Sequence, residues 1–305
     1  MNQPKVYGGI EAGGTKFVCA IGTGPGDIRD HTVIGTTSPR DTLGQVVAYF
    51  RRQRTAGHEI AGIGIGSFGP LDLDPTSARY GSITTTMKPG WAGTELAGPI
   101  ARELGVPVRL ETDVNAAALG EYRWGAGQGR RNIAYITVGT GVGVGIVLHG
   151  QTVPGLIHPA VEHLHVGRHP DDDYPGGCPF HGDCLEGLAS GPAMTARTGR
   201  GPGDLGADGE RLLAIEAWYL AQLVTTLVYV LSPERIIIGG GLSRLPGLLE
   251  AVRARTVSLV NGALCAAELT TSAAAYIVAP GLGDLSGVVG ALALGAGAGV
   301  DDRPP

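Results

Sequence analysis

Val6-Tyr7-Gly8-Gly9-Ile10-Glu11-Ala12-Gly13-Gly14-Thr15-Lys16 runs directly into the apolar Phe17-Val18-Cys19-Ala20-Ile21. The stretch spells a strand, a glycine–threonine turn and a second strand, which is a hairpin. The pattern returns at Ile133-Ala134-Tyr135-Ile136-Thr137-Val138-Gly139-Thr140-Gly141-Val142-Gly143-Val144-Gly145, followed by Ile146-Val147-Leu148. Glycines in such a turn let the backbone approach a ligand without a Cβ in the way, and they permit positive φ. Exposed N–H groups there form a concave anion site. Two such turns, with Lys16 after one and Thr137 and Thr140 in the other, predict a clamp on a polyphosphate. The competing reading is two ordinary tight hairpins. Lys16 supplies the point charge that phosphoryl transfer wants, and Glu11 is suited to help hold a magnesium ion through water.

Working outward, each hairpin opens one half of a 305-residue chain, longer than a typical single domain. Strands and helices alternate in both halves, so an α/β fold of two lobes with the ligand in a central cleft is expected. The expected division is 1–112 with a closing helix over 286–305, and 113–285 carrying a loop over 158–186 that overlaps an irregular His/Pro/Asp/Gly-rich stretch from Gly155 to Asp183. Helices are predicted over 41–56, 94–104, 113–124, 210–231, 245–257 and 286–296, and Asp301–Pro305 is expected to fray. A net charge of −5 argues against a nucleic-acid partner, which would need a basic stripe. The absence of a long uninterrupted apolar run or a leader predicts a cytoplasmic protein with no membrane partner. Its four cysteines are then thiols or metal ligands.

Three local constellations invite a chemical reading, and two of them keep it. Gly64-Ile65-Gly66-Ser67-Phe68-Gly69 has the dinucleotide-binding spacing, but Pro70-Leu71-Asp72-Leu73-Asp74-Pro75 follows instead of a helix, so that reading is set aside. Asp113 stands where a strand gives way to a helix. It is either a helix cap or a base that takes the proton of an acceptor hydroxyl, with Asn115 orienting a second hydroxyl. Cys178, His181 and Cys184 offer three soft ligands at the short spacing of tetrahedral, structural zinc. The fourth would come from His158, His163, His165 or His169, and the alternative is two buried thiols or a local disulfide. Cys19 and Cys265 read as small apolar residues of a strand and a helix. Glu186, just after the cluster, reads alone as an ordinary helix-start acid.

Together these residues resemble the ROK family of sugar kinases, which have the actin/hexokinase (ribonuclease H-like) ATPase fold, and within it the zinc-containing bacterial fructokinases. The resemblance rests on residues 8–16, 66–70, Lys88-Pro89-Gly90-Trp91, Thr112-Asp113-Val114-Asn115-Ala116-Ala117-Ala118, Gly139-Thr140-Gly141, Arg168-His169-Pro170-Asp171-Asp172, and Cys178 through Glu186. It implies transfer from Mg-ATP to a hexose, fructose by default, with Asp113 as general base. It implies nucleotide contacts from Glu11, Gly13, Gly14, Thr15, Lys16, Thr137, Gly139, Thr140, Gly141 and Gly239-Gly240-Gly241. Sugar contacts would come from Gly69, Asn115, Glu162, His163 and Glu186. Zinc would be held by His163, Cys178, His181 and Cys184, and the protein would be a homodimer.

One departure stands out. Those fructokinases carry His-Pro-Glu-Met-Gly-His where this chain reads His158-Pro159-Ala160-Val161-Glu162-His163. In gapless register the sugar-binding glutamate is Ala160 and the glycine is Glu162. A shifted register makes Glu162 the glutamate and His165 the ligand, but needs compensating gaps. A lost carboxylate would leave sugar hydroxyls unpaired at about 1–3 kcal/mol. Glutamate in place of glycine would strain the loop if φ is positive there. Two further expectations follow: a kinase for another sugar or polyol, and a non-catalytic sugar sensor. A transcription regulator of the same fold would need a DNA-reading motif ahead of the first hairpin, where only a handful of residues stand.

Overall fold

The structure is a computed structural model that describes residues 5–153, 155–201 and 203–298. The strands are β1 (Val6–Ala12), β2 (Lys16–Gly24), β3 (Asp27–Gly35), β4 (Ile60–Ser67), β5 (Val108–Thr112), β6 (Asn132–Val138), β7 (Val142–Leu148), β8 (Gln151–Thr152), β9 (Arg235–Gly239) and β10 (Ile277–Val278). The helices are α1 (Pro39–Thr55), α2 (Ala97–Leu104), α3 (Asp113–Trp124), α4 (Leu185–Ala189), α5 (Gly191–Thr198), α6 (Gly209–Leu231), α7 (Leu248–Val260), α8 (Ala273–Tyr276) and α9 (Ser286–Gly297). The described residues form two compact units. The first lies within Met1–Gln128, Gly150–Pro159 and Asp284–Pro305, the second within Gly129–His149 and Ala160–Gly283.

The first unit is built on a sheet of order β3-β2-β1-β4-β5. β1 pairs antiparallel with β2 and parallel with β4, and β5 runs parallel to β4. Ile10, Phe17, Ile21, Ile63, Ile65, Val46 and Phe50 form its buried centre. Ser38 caps α1, accepting from the Asp41 N–H at 3.2 Å, and Gly105 ends α2 in the left-handed region at φ 63°.

α9 packs on β1, β4 and α3 at backbone range. A methyl group on Gly64 would sit 2.0 Å from the Ala291 carbonyl oxygen, and one on Gly290 1.7 Å from that of Ala116. Gly64 therefore seats α9, and Gly66 seats α3, whose Ala116 Cβ would lie 2.5 Å from a methyl there. This packing also moves the unit's border from the expected 112/113 to 128/129: α3 is held by α9, so Asp113 belongs to the first unit. The part of the expected closing helix at 299–305, with the tail, lies outside the described residues.

In the second unit the order is β10-β9-β6-β7, with β6–β7 antiparallel and β6–β9 and β9–β10 parallel. β7-β6-β9-β10 thus repeats β2-β1-β4-β5 in order and direction, the duplication that the two hairpins announce. Gly206–Leu231, which includes α6, is long and apolar enough to cross a membrane by length and composition, against the sequence expectation. Its Leu220, Leu223 and Val224 are instead fully buried, as in a core helix. Cys19 is buried in β2 as expected, whereas Cys265 lies exposed outside any helix. Gly262 just before Cys265, with the exposed Asn261 at φ 45°, ends α7 too early to include it.

Candidate functional site

In the first unit, the hairpin turn is tied from behind. The Gly13 N–H donates to the Lys16 carbonyl at 2.9 Å, and Thr36 donates from its N–H to the Thr15 carbonyl at 2.9 Å and from Oγ1 to the Gly13 carbonyl at 2.8 Å. Gly14, Thr15 and Lys16 are left exposed at the tip, with open space where a Gly14 Cβ would lie. Neither Gly13 nor Gly14 has a positive φ, so these glycines provide access and not the left-handed turn that the sequence also allowed.

The β5–α3 junction separates the two roles weighed for Asp113. Thr112 is the cap, its Oγ1 accepting from the Asn115 N–H at 3.2 Å, and Asp113 is the first residue of the helix. Asp113 Oδ1 accepts from the Val114 N–H at 2.9 Å. Burial raises its pKa above the usual aspartate value, opposed by the backbone hydrogen bonds and by His158. The Glu11 carboxyl is raised as well, first by burial and then by the charge of Asp113, against the pull of Lys16 and the Val288 N–H. Two carboxylates and one lysine thus face one locality, able to hold a magnesium ion and to receive a proton. His158 Nε2 accepts from the Leu71 N–H at 3.4 Å and lies 3.2 Å from the position of a Gly69 Cβ. Asn115 is buried and donates from Nδ2 to Glu111 Oε2 at 2.9 Å, while Thr152 Oγ1 donates to Glu111 Oε1 at 2.5 Å.

In the second unit, the Gly139 N–H donates to the Gly141 carbonyl at 2.8 Å, and the Gly191 N–H at the start of α5 donates to the Gly139 carbonyl at 2.6 Å. Glu186, in the first turn of α4, accepts from the Val142 N–H through Oε2 at 3.2 Å, and a methyl on Gly141 would sit 2.6 Å from that oxygen. A cavity of about 840 Å³ opens beside the turn, lined by Gly139, Thr140, Gly191, Pro192, Thr195, Ala196, Gly203, Gly241 and Leu242. This is the size and mostly apolar character of a small-molecule pocket. Thr137 is set deeper, paired with Gly143 and Gly239 inside the sheet.

Gly240 holds φ 89°, with Val138 O 2.4 Å from where its Cβ would be. Gly240→Ala is expected to cost about 1–2 kcal/mol in backbone strain alone. Thermal melting checks this, and an unchanged midpoint would contradict it.

His163, Cys178, His181 and Cys184 converge, their ligand atoms all within 4.8 Å of one another. Cys178 Sγ lies 3.9 Å from His163 Nδ1 and 3.8 Å from His181 Nδ1, and Cys184 Sγ lies 3.7 Å from His163 Nδ1. Donors placed tetrahedrally at zinc–ligand bond lengths are about 3.3–3.8 Å apart, so the set fits. Both cysteines are free thiols. Burial pushes the Cys184 thiol up to about 11, a cost that a bound cation reverses. The loop is closed by the Cys178–Gly182 bridge, with Gly182 at φ 67°. Glu162 and His163 share the 3-10 turn Val161–His163, and Ala160 just before it is exposed. Glu162 has no positive φ, so the strain expected from replacing glycine does not arise.

The sequence reading missed α5, which supplies much of the cavity wall. Its signals were present: Pro192 in the first turn and Gly199 at the C-cap with φ 65°.

Comparisons with known proteins agree with this geometry. A fructokinase of Zymomonas mobilis is 43% identical over 296 residues, covering 96% of this chain and 97% of that protein. The ROK hexokinase of Thermus thermophilus superposes with a TM-score of 0.77 at 27% identity, covering 95% of this chain and 98% of that one. The ROK family glucokinase of Streptomyces griseus, solved with glucose and AMPPNP, gives 0.72 at 27% identity over 95% and 99%. The fold is therefore the actin-like ATPase fold. With the family match spanning residues 7–297, the chain belongs to the ROK family.

Proposed function

We propose that this protein is an ATP-dependent sugar kinase that phosphorylates a hexose hydroxyl, fructose being the first acceptor to test. The observation that carries the reading is Asp113 at the first position of α3, with its cap role taken by Thr112 and its pKa raised by burial. A carboxylate so placed takes the hydroxyl proton as the phosphoryl group is transferred. The backbone N–H groups of the two glycine turns and Lys16 stabilise charge on the phosphates, and the cavity beside Gly139 and Thr140 takes the adenosine. Magnesium, when bound, neutralises phosphate charge, and Glu11 would hold it through water. Asn115, Gly69, His163 and Glu186 orient the sugar. Zinc on the four-ligand loop would fix His163 and set the start of α4, hence Glu186.

The protein would act in the cytoplasm, where its thiols stay reduced, and as a homodimer. Light scattering tests that state.

A second acceptor reading follows from Ala160 and Glu162. Glu162 stands on the turn that ends in His163, so it can return a carboxylate to that neighbourhood from a different backbone position. Coupled ADP release over a panel of hexoses is expected to rank fructose first. The Ala160→Glu/Glu162→Gly double variant should raise kcat/KM for fructose by about 10-fold if the pocket has been redirected. Silence with every sugar would leave a sensor in place of a kinase.

A further inference from the structure

The last turn of α5 carries a buried charge that the proposed reaction does not use. The Arg197 side chain is 3% exposed and that of Asp172 is 1% exposed. They meet in a two-point fork, Nε to Oδ1 at 3.0 Å and Nη2 to Oδ2 at 2.7 Å. Tyr219 on α6 donates to Asp172 Oδ2 at 2.6 Å, and the Tyr174 N–H donates to Oδ1 at 3.3 Å. The Tyr174 ring lies 5.0 Å from the guanidinium carbon. Glu216, one turn before Tyr219, is fully buried. Among the described residues neither of its carboxylate oxygens has a hydrogen-bond partner, nor has Arg197 Nη1.

A buried ion pair is weak evidence for stability, because desolvation offsets most of the attraction. Its fork does fix geometry. Here the fixed object is an eight-residue helix. One end of α5 is bonded to the hairpin through Gly191 and the Gly139 carbonyl, and Pro192, Thr195 and Ala196 line the cavity. The other end is held by Arg197. We propose that the Asp172–Arg197 pair is a positioning clamp for the nucleotide cavity, and that Glu216 is the proton-sensitive group that sets how firmly Arg197 is held. This deepens the kinase reading and rests on it.

The charges that act on Glu216 are those of Arg197 from α5 and Asp172 from the segment before Tyr174, and Tyr219 stands one turn further along α6. Burial raises Glu216 to about 8, Arg197 opposing and Asp172 adding to the rise. Tyr219 is raised to about 12 and stays a donor throughout the working range. As Glu216 ionises it attracts the unpartnered Nη1 edge and draws the guanidinium away from its fork with Asp172. The helix end loosens and nucleotide affinity falls as pH rises through that region.

The test is a titration of the full chain with Mg-ADP, together with steady-state kinetics. Arg197→Met is expected to weaken Mg-ADP binding and raise the ATP KM by about 10–100-fold while the sugar KM holds, with partial rescue in Arg197→Lys. Wild-type affinity should decline between about pH 7 and 9, and the same-shaped Glu216→Gln should flatten that profile even if Arg197→Met fails to fold. Equal affinities in wild type and Arg197→Met, or a pH profile unaltered by Glu216→Gln, would overturn the clamp whether or not sugar is phosphorylated. Clamp-dependent Mg-ADP binding without turnover of any hexose would support the clamp and overturn the kinase reading.

Discussion

Asp113→Asn is expected to lower turnover by about 10²–10⁴-fold while Mg-ADP affinity stays within a few-fold. Asparagine keeps the shape and can still accept the Val114 N–H, now 2.9 Å from Oδ1. It cannot take a proton. Binding and chemistry should therefore separate: substrates bind, and the hydroxyl is not activated. The pH profile gives a second reading. Burial holds Asp113 above its usual value, so the acid limb of kcat/KM should have its midpoint above about 3.9.

Stability runs the other way. The folded protein holds this proton more tightly than the unfolded chain. The stabilisation is therefore complete below the ordinary aspartate range and is lost as pH rises through the raised pKa. At neutral pH the ionised Asp113 costs stability, and the asparagine variant should melt no lower than wild type. An inactive, undamaged protein is the expected result. Wild-type turnover in Asp113→Asn would remove this residue from the mechanism.

What the chain declares openly is local. The two glycine hairpins, the strand-to-helix step at Asp113 and the Cys178–Cys184 cluster each lie within a short segment, where spacing alone limits the structure. Misreadings come from partners far along the chain. Gly64 has the spacing of a phosphate-binding glycine, and the loop residues Pro70–Pro75 suffice to set that reading aside, but nothing near it says that α9, more than two hundred residues later, lies against it. The same returning helix draws α3 into the first unit and shifts the border past Asp113. The Asp172–Arg197 fork joins residues 25 apart with no shared periodicity. α5 is a different case. Its proline and glycine signals were readable but sat beside a glycine-rich stretch whose sequence reads as a connection.

Cys178→Ser is expected to abolish zinc binding and with it much of the order around His163 and Glu186. Metal analysis of the wild type should find about one zinc per chain, and the variant close to none. A ligand bound at roughly 1,000 times its dissociation constant stabilises by about 4 kcal/mol, which in a chain of this size is a fall of about 6 °C in melting midpoint. The functional readout follows from geometry. Cys184 is the N-cap of α4, and Glu186 in its first turn reaches back to the Val142 N–H at 3.2 Å. Releasing the cysteine end frees that carboxylate and His163 together. The sugar KM should then rise by about 10-fold or more, whereas the cavity beside Thr140, walled by α5 and not by the loop, should bind Mg-ADP nearly as before. Chelation of the wild type should reproduce the pattern, and zinc should reverse it. A stoichiometric Cys178–Cys184 disulfide, or a chelated protein with unchanged melting and sugar KM, would show that these four side chains hold no structural metal.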